Sequence, residues 1–424
     1  MDSLLSVSQA MASFWFISAP LAGHTDWGGM LKTAQHLLAS GHQVLWVSEP
    51  PLEGLINAAG VPFAAIAATG WAWLAPPPAD LRSMNPVEAM FLRYRRALDT
   101  WLSEELMPPA FEAMLSLAEQ RGTPDLIVTD PFLSAVAFAA EKLGVPMAVA
   151  GWVAGQPLDE ERLYAVQADL SKLCRERIER LKVRFGVRGV NFSEGAAPSV
   201  QSPHLHISYF NREWYQADPE PLPQTQFVGG TVDAPTTPTP DWLAEIPEGA
   251  PLALVTLGSV FTGDLGFFSW AAQAVARLGM TPIVVIGRNP IPPEKKAELK
   301  AALPRGTRLL SWIDYDHVFP RLRVIVHHGG MGTTHRAAVQ GIPQVVVPHA
   351  ADQRAQARRV AQAKVGLNLT AHDVRNGQLL PAIRAVTTDQ RVLENARRLA
   401  ADLASLGGKV RAAELLVALA ERRA

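Results

Sequence analysis

The feature that most restricts the fold is an alternation that occurs twice. From Phe14 onward, short apolar runs ("FWFI", "VLWV", "FAAI", "DLIV", "MAVA") are separated by stretches of helical period, such as "GGMLKTAQHLLASG", "LEGLINAAG" and "FLSAVAFAAEKLG". A strand covered on both faces reads as a continuous apolar run, so strands of this kind alternating with amphipathic helices predict a parallel sheet sheathed in helices. The cycle starts again after residue 250, with strands predicted in "LALVTLGS", "PIVVIG", "TRLLSWI", "RVIVHHG" and "PQVVVPH". Helices are predicted between them in "FFSWAAQAVARLG", "PEKKAELKAAL", "GTTHRAAVQG" and "QRAQARRVAQAKVG". The expected class is α/β, with two doubly wound Rossmann-like domains. A chain of 424 residues fits two such units at roughly 150 residues or more each. The proline- and threonine-rich "LPQTQFVGGTVDAPTTPTPDW" interrupts the period and reads as a linker. The domains expected are therefore 1–222, a linker over 223–248, a second α/β domain over 249–405, and a closing helical stretch over 406–424.

Charge and cysteine usage exclude several roles. Lys and Arg total 39 against 40 Asp and Glu, a formal net charge of -1, so no global positive field draws a nucleic acid. The single cysteine, Cys174, rules out an intrachain disulfide, and a reducing compartment, the cytoplasm, is expected. The first twenty residues lack a basic leader ahead of a clean apolar core, and no uncharged apolar run reaches the ~18–20 residues of a membrane span. The basic amphipathic stretch "LSKLCRERIERLKVRFGVRG" is read as a helix packed on the core; resting peripherally on a membrane is the alternative.

The stretch "VIVHHGGMGTTHRAA", Val324 to Ala338, sets two histidines and three glycines between a predicted strand and a predicted helix. Backbone N–H groups at a helix start lack internal partners and carry partial positive charge, which suits a phosphate or diphosphate. Gly330 and Gly332 permit close approach, Thr333 adds a hydroxyl, and one histidine adds a further donor. Neighbouring residues on an extended chain point opposite ways, so His327 and His328 are poor joint ligands for one metal. A glycine turn with a buried histidine fits the same residues.

The surroundings decide between these readings. "SWIDYDHVFPRL" precedes the stretch and "GIPQVVVPHAADQ" follows it, ending in Asp352 and Gln353 at the carboxyl end of a predicted strand. The order Trp, His-X-Gly-X-Gly-Thr, Pro, Asp-Gln strongly resembles the nucleotide-sugar signature of family 1 glycosyltransferases, whose GT-B fold sets two Rossmann-like domains across a cleft. The resemblance implies that Trp312 stacks on the nucleobase and the backbone of Ile313 meets its edge. It further implies that His328, Gly330, Gly332, Thr333 and Ser259 of "TLGS" surround the diphosphate, and that Asp352 and Gln353 hold sugar hydroxyls. Read from the residues alone, the alternatives are a core aromatic for Trp312, a turn residue for Ser259 and a helix cap for Asp352. The chain departs from the pattern at Arg336, where relatives place a ribose-binding glutamate, and at Tyr315, where they often place glutamine. Met331 stands in place of the plant form's second tryptophan and favours a bacterial branch.

"SAPLAGHTDWGG" places His24 in a loop after the first strand, the position of the family's general base. A hydroxyl is a weak nucleophile until a group of near-neutral pKa takes its proton, and histidine suits that task. Relatives usually have a proline soon after this histidine, where Trp27 and Gly28 stand here. "PDLIVTDPF" offers Asp130, which resembles the family's aspartate partner of that histidine; a helix-capping Asp is the alternative. Trp71, Trp73, Phe91, Tyr94 and Trp101 lie in a less regular region and are expected either to line an acceptor pocket or simply to pack. The "DYD" of Asp314 to Asp316 is weak as a metal motif, His36 and His42 lack ligand spacing with His24, and no metal or cofactor is expected.

The expected activity is inverting, metal-independent transfer of a sugar from UDP-glucose first, or a dTDP-sugar second, to the hydroxyl of an apolar small molecule. Phenolics, carotenoids, macrolides and sterols fit that description, and "TLGSVFTGDLGFF" with "GWVAGQPLDEER" resembles bacterial carotenoid glucosyltransferases. A nucleotide-sugar 2-epimerase of the same fold, or a non-catalytic nucleotide-sugar-binding partner, are the rival readings.

Overall fold

The computed structural model describes residues 11–26, 28–72, 84–151, 165–194, 198–218, 220–235, 237–258, 265–287, 291–349 and 351–422. They form two compact units. One comprises residues up to Ser208, Asp218–Phe227 and Lys409–Ala424, and the other comprises Tyr209–Ala217 and Val228–Gly408.

The first unit is built on a seven-stranded sheet of β1 (Ser13–Ile17), β2 (Gln43–Ser48), β3 (Phe63–Ala65), β4 (Leu126–Thr129), β5 (Met147–Ala150), β6 (Leu205–Ser208) and β7 (Thr225–Phe227), in the order β3-β2-β1-β4-β5-β6-β7. Every pair in it is parallel. The order reverses between β1 and β4, so the loops leaving these neighbours diverge and open a crevice at their carboxyl ends. The central strands are buried along nearly their whole length, which is why they read as unbroken apolar runs. β7 corrects the domain boundary: "TQF" falls inside the stretch read as linker, yet it is the edge strand of this sheet. Its middle residue is exposed and polar, as an edge strand allows, so it carries no apolar signal.

The basic helix, Ala165–Phe185, spends its apolar stripe on this unit's core, where Cys174, Ile178, Leu181 and Phe185 are buried and Leu173 packs against them. Arg177, also buried, pairs with Asp99 at 2.6 Å and donates to the Leu102 carbonyl at 3.1 Å. These contacts fasten it to the helix Pro86–Trp101. No described helix is long and apolar enough to cross a membrane.

The second unit holds a six-stranded parallel sheet of β8 (Leu252–Thr256), β9 (Thr281–Val285), β10 (Arg308–Leu310), β11 (Leu322–His327), β12 (Gln344–Val346) and β13 (Gly366–Asn368), in the order β10-β9-β8-β11-β12-β13. One apolar cluster around Val255, Phe268, Val326 and Ile383 and another around Leu254, Ile325 and Phe319 serve this unit. The reversal here lies between β8 and β11, and β11 ends in the double histidine.

Candidate active site

The first unit brings the predicted pair together. His24 lies in a five-residue helix, Ala22–Asp26, rather than in an open loop, and its Nδ1 is 3.1 Å from Asp130 Oδ2. Asp130 follows β4 directly and is fully buried. Its Oδ2 also accepts from the Ala19 N–H at 3.2 Å, and its Oδ1 accepts from the Phe132 N–H at 2.8 Å. Asp130 is not the cap of the following helix, Ser134–Leu143, whose N-cap is Leu133. A carboxylate only accepts, so the proton shared with His24 resides on Nδ1 and the lone pair on Nε2.

Sequence reasoning missed Phe132 and did not set Trp71 beside this histidine. Trp71 lies 5.5 Å from the imidazole, ring centre to ring centre, and Phe132 lies 5.8 Å from it. Trp71 is only 8% exposed and belongs to the core. Trp101 is half-buried against that core, Phe91 is half-buried and Tyr94 is exposed on the helix Pro86–Trp101. Trp73 lies outside the described residues. "DPF" carried the one available signal for Phe132, since an aspartate commonly accepts from the N–H two residues on.

The second unit places the histidine and the glycines of its motif at one strand-to-helix turn. The helix Met331–Val339 is capped by Gly330 with no side-chain hydrogen bond, and Gly332 and Thr333 lie in its first turn. Buried His328 sits between two backbone segments that leave no room for a side chain. A Cβ on Gly330 would stand 2.5 Å from its Nε2, and one on Gly258, at φ 73°, 2.7 Å from its Cε1. The glycine of "TLGS" is thus needed for the histidine to fit. Burial, with the neighbouring His327 and His349, pushes the His328 pKa down to about 3. His328 is therefore a neutral ring at physiological pH, able to donate an N–H but carrying no charge.

His327 points elsewhere. Its Nδ1 accepts from the Gly329 N–H at 3.1 Å, so its proton is on Nε2, which donates to Gln344 Oε1 at 3.0 Å. Burial holds its pKa at about 4. The ring ties the turn after β11 to β12, and the two histidine rings stand 88° apart.

Around this core, Trp312 is 57% exposed after β10, while the Ile313 side chain is buried in the core. Gln353 is buried and its Oε1 accepts from the His349 N–H at 2.8 Å. Asp352 belongs to the helix Ala351–Gln362, its side chain being outside the described residues, as is all of Ser259. The acidic triplet is engaged locally: Asp314 caps the helix Tyr315–Val318 through the Asp316 N–H, and Asp316 Oδ1 accepts from Arg336 Nη1 at 2.7 Å. Among the described residues no group of three His, Cys, Asp or Glu side chains is placed to hold a metal ion.

Comparison with known proteins agrees with this geometry. Residues 283–419 match the family described as erythromycin biosynthesis protein CIII-like, C-terminal domain. The NDP-glycosyltransferase YjiC of Bacillus subtilis (strain 168) is 26% identical over 305 residues, 71% of this chain and 74% of that protein. The 4'-demethylrebeccamycin synthase of Lentzea aerocolonigenes is 22% identical over 439 residues, spanning 95% of this chain and 98% of that protein. The crystal structure of the glycosyltransferase of kitacinnamycin superposes with a TM-score of 0.73 at 23% identity, covering 97% of this chain and 99% of that one. With two parallel-sheet Rossmann-like units and glycosyltransferases for relatives, this chain has the GT-B fold and is similar to bacterial natural-product glycosyltransferases.

Proposed function

We propose that the protein moves a hexose from a nucleoside diphosphate sugar, UDP-glucose or a dTDP-sugar, to a hydroxyl of an apolar natural-product aglycone, with inversion at the anomeric carbon. The observation that carries this reading is the His24–Asp130 pair, a fully buried acceptor holding the proton on Nδ1 of a part-buried imidazole. In the proposed step, Nε2 of His24 takes the acceptor's hydroxyl proton as its oxygen bonds to the anomeric carbon. The bond from that carbon to the diphosphate oxygen breaks, and the nucleoside diphosphate leaves. Asp130 balances the imidazolium until it returns its proton to solvent.

In the second unit, Trp312 would stack on the base. The first-turn N–H groups of Met331–Val339, the neutral N–H of His328 and the Thr333 hydroxyl would meet the leaving diphosphate, and Asp352 and Gln353 the sugar. No step requires a metal. Relatives named for NDP-sugars and for a rebeccamycin-type product support the substrate classes.

The test is product mass and nucleoside diphosphate release with UDP-glucose or dTDP-glucose, a panel of aglycones and EDTA, beside His24→Ala. Acceptor-dependent hexosylation lost in His24→Ala is expected. Hexosylation undiminished in that variant would remove His24 from its role, and conversion of donor with no acceptor would favour the epimerase reading.

A further inference from the structure

We propose that Trp71 and Phe132 are positioning residues that hold the His24 imidazole against Asp130 and stabilise its protonated form; this rests on the reading of His24 as the base. The rings approach the imidazole at interplanar angles of 58° and 50°. Both are attached to backbone that is itself fixed, so neither is a chance neighbour.

Phe132 is bound to the dyad from within. Its N–H holds Asp130 Oδ1 at 2.8 Å while its ring lies against His24, so one residue sets both members of the pair.

Trp71 is braced on both sides. Two residues before it, Thr69 donates from N–H and hydroxyl to Glu49 Oε1 at 2.9 and 2.7 Å. One residue after it, the Ala72 N–H donates to the Thr100 carbonyl at 3.1 Å. Between them, Gly70 at φ 81° is pressed so closely on the core that a Cβ would stand 2.8 Å from Met107 Cε and 3.0 Å from Ala135 Cβ. The sequence "TGW" thus delivers an aromatic ring to a defined place.

The negative faces of aromatic rings attract a cation, and the imidazole is cationic only after it has taken the acceptor's proton. The flanking rings therefore favour the state that forms during transfer. Asp130, from the end of β4, faces His24, while Glu49 at the end of β2 is turned to Thr69.

The experiment follows the His24 imidazole by NMR titration, and kcat and KM against pH, in the wild type, Phe132→Leu, Trp71→Leu and Trp71→Phe. Leucine keeps the apolar bulk and removes the ring. Each leucine variant should move the acid limb of kcat to lower pH and cut kcat about 10-fold with the sugar-donor KM unchanged. Trp71→Phe should restore near-wild-type values, and it also serves if the leucine variant does not fold. Folded leucine variants with unchanged imidazole titration and unchanged kcat would reduce both residues to packing. Failure of the base reading would look different: full turnover in His24→Ala, whatever the titration of His24 in the wild type.

Discussion

Asp130 Oδ2 is shared between the Ala19 N–H at 3.2 Å and His24 Nδ1 at 3.1 Å, so the end of β4 is joined to the loop after β1 and to the imidazole by one oxygen. Asp130→Asn should reduce kcat about 10³-fold with little change in sugar-donor KM, because an amide cannot hold the imidazolium. Asp130→Ala should in addition cost about 2–4 kcal/mol in urea unfolding, since the Ala19 and Phe132 N–H groups lose their acceptor. A variant with wild-type kcat would separate the pair from the chemistry.

Gly258→Ala tests the seat of His328. At φ 73° with a Cβ 2.7 Å from the ring, alanine must displace the histidine. Nucleotide affinity measured by calorimetry should fall about 10-fold or more, with about 1–2 kcal/mol lost in stability. Unchanged affinity would mean that His328 does not touch the nucleotide.

Trp312 gives the opposite signature. With more than half its surface in solvent, its removal should leave Tm within a degree or two. UDP or dTDP binding should weaken by about 1–3 kcal/mol, the range of base stacking on an aromatic ring. A fallen Tm with intact binding would return Trp312 to a packing role.

The Arg336–Asp316 pair joins the segment bearing Trp312 to the helix that begins at Met331, with side chains 12% and 23% exposed. A double-mutant cycle with alanine at both positions should give a coupling of about 1 kcal/mol, above that of an exposed pair. Each single variant should weaken nucleotide binding, because the two segments are then less firmly joined. Zero coupling would make the contact incidental.

Acid should destabilise the fold through its buried histidines. Burial holds His206 and His327 at about 4 and His328 at about 3, against 6.5 in the unfolded chain. Below pH 6.5 the unfolded state binds protons that the native state does not, so stability is full above that pH and falls as pH drops towards 4. Each histidine contributes up to ~1.4 kcal/mol per pH unit. Urea midpoints measured from pH 7.5 to 4.5 should decline with a slope that shrinks in His327→Gln; a flat profile would contradict the neutral histidines.

The sequence was most legible where burial is two-sided. "FWFI", "LIVT" and "RVIVH" announce central parallel strands because both faces are buried and mostly apolar. "LHIS", "TQF" and "GLN" are strands only because a neighbour pairs with them: short, partly polar, and edge or near-edge, they lack a periodic signal. The site followed the same division. His328, Gly330 and Gly332 lie within one local turn and were readable together, whereas His24 and Asp130 stand 106 positions apart and needed the family pattern to be paired. Trp71 was read as an aromatic that lines a pocket or packs, since only the packing of Gly70 and the anchors at Thr69 and Ala72 show which way it faces. Arg336 looked anomalous until its carboxylate partner, twenty positions earlier, was seen.

The first unit is assembled from three separate stretches, the last beginning at Lys409. During synthesis its sheet can pair as soon as β7 emerges, but the helix Gly408–Glu421, with Ala412, Leu416 and Val417 buried, appears only after the whole second unit has been made. The unit whose sheet is translated earlier is thus completed later, by a helix that must wait for the other unit to be made.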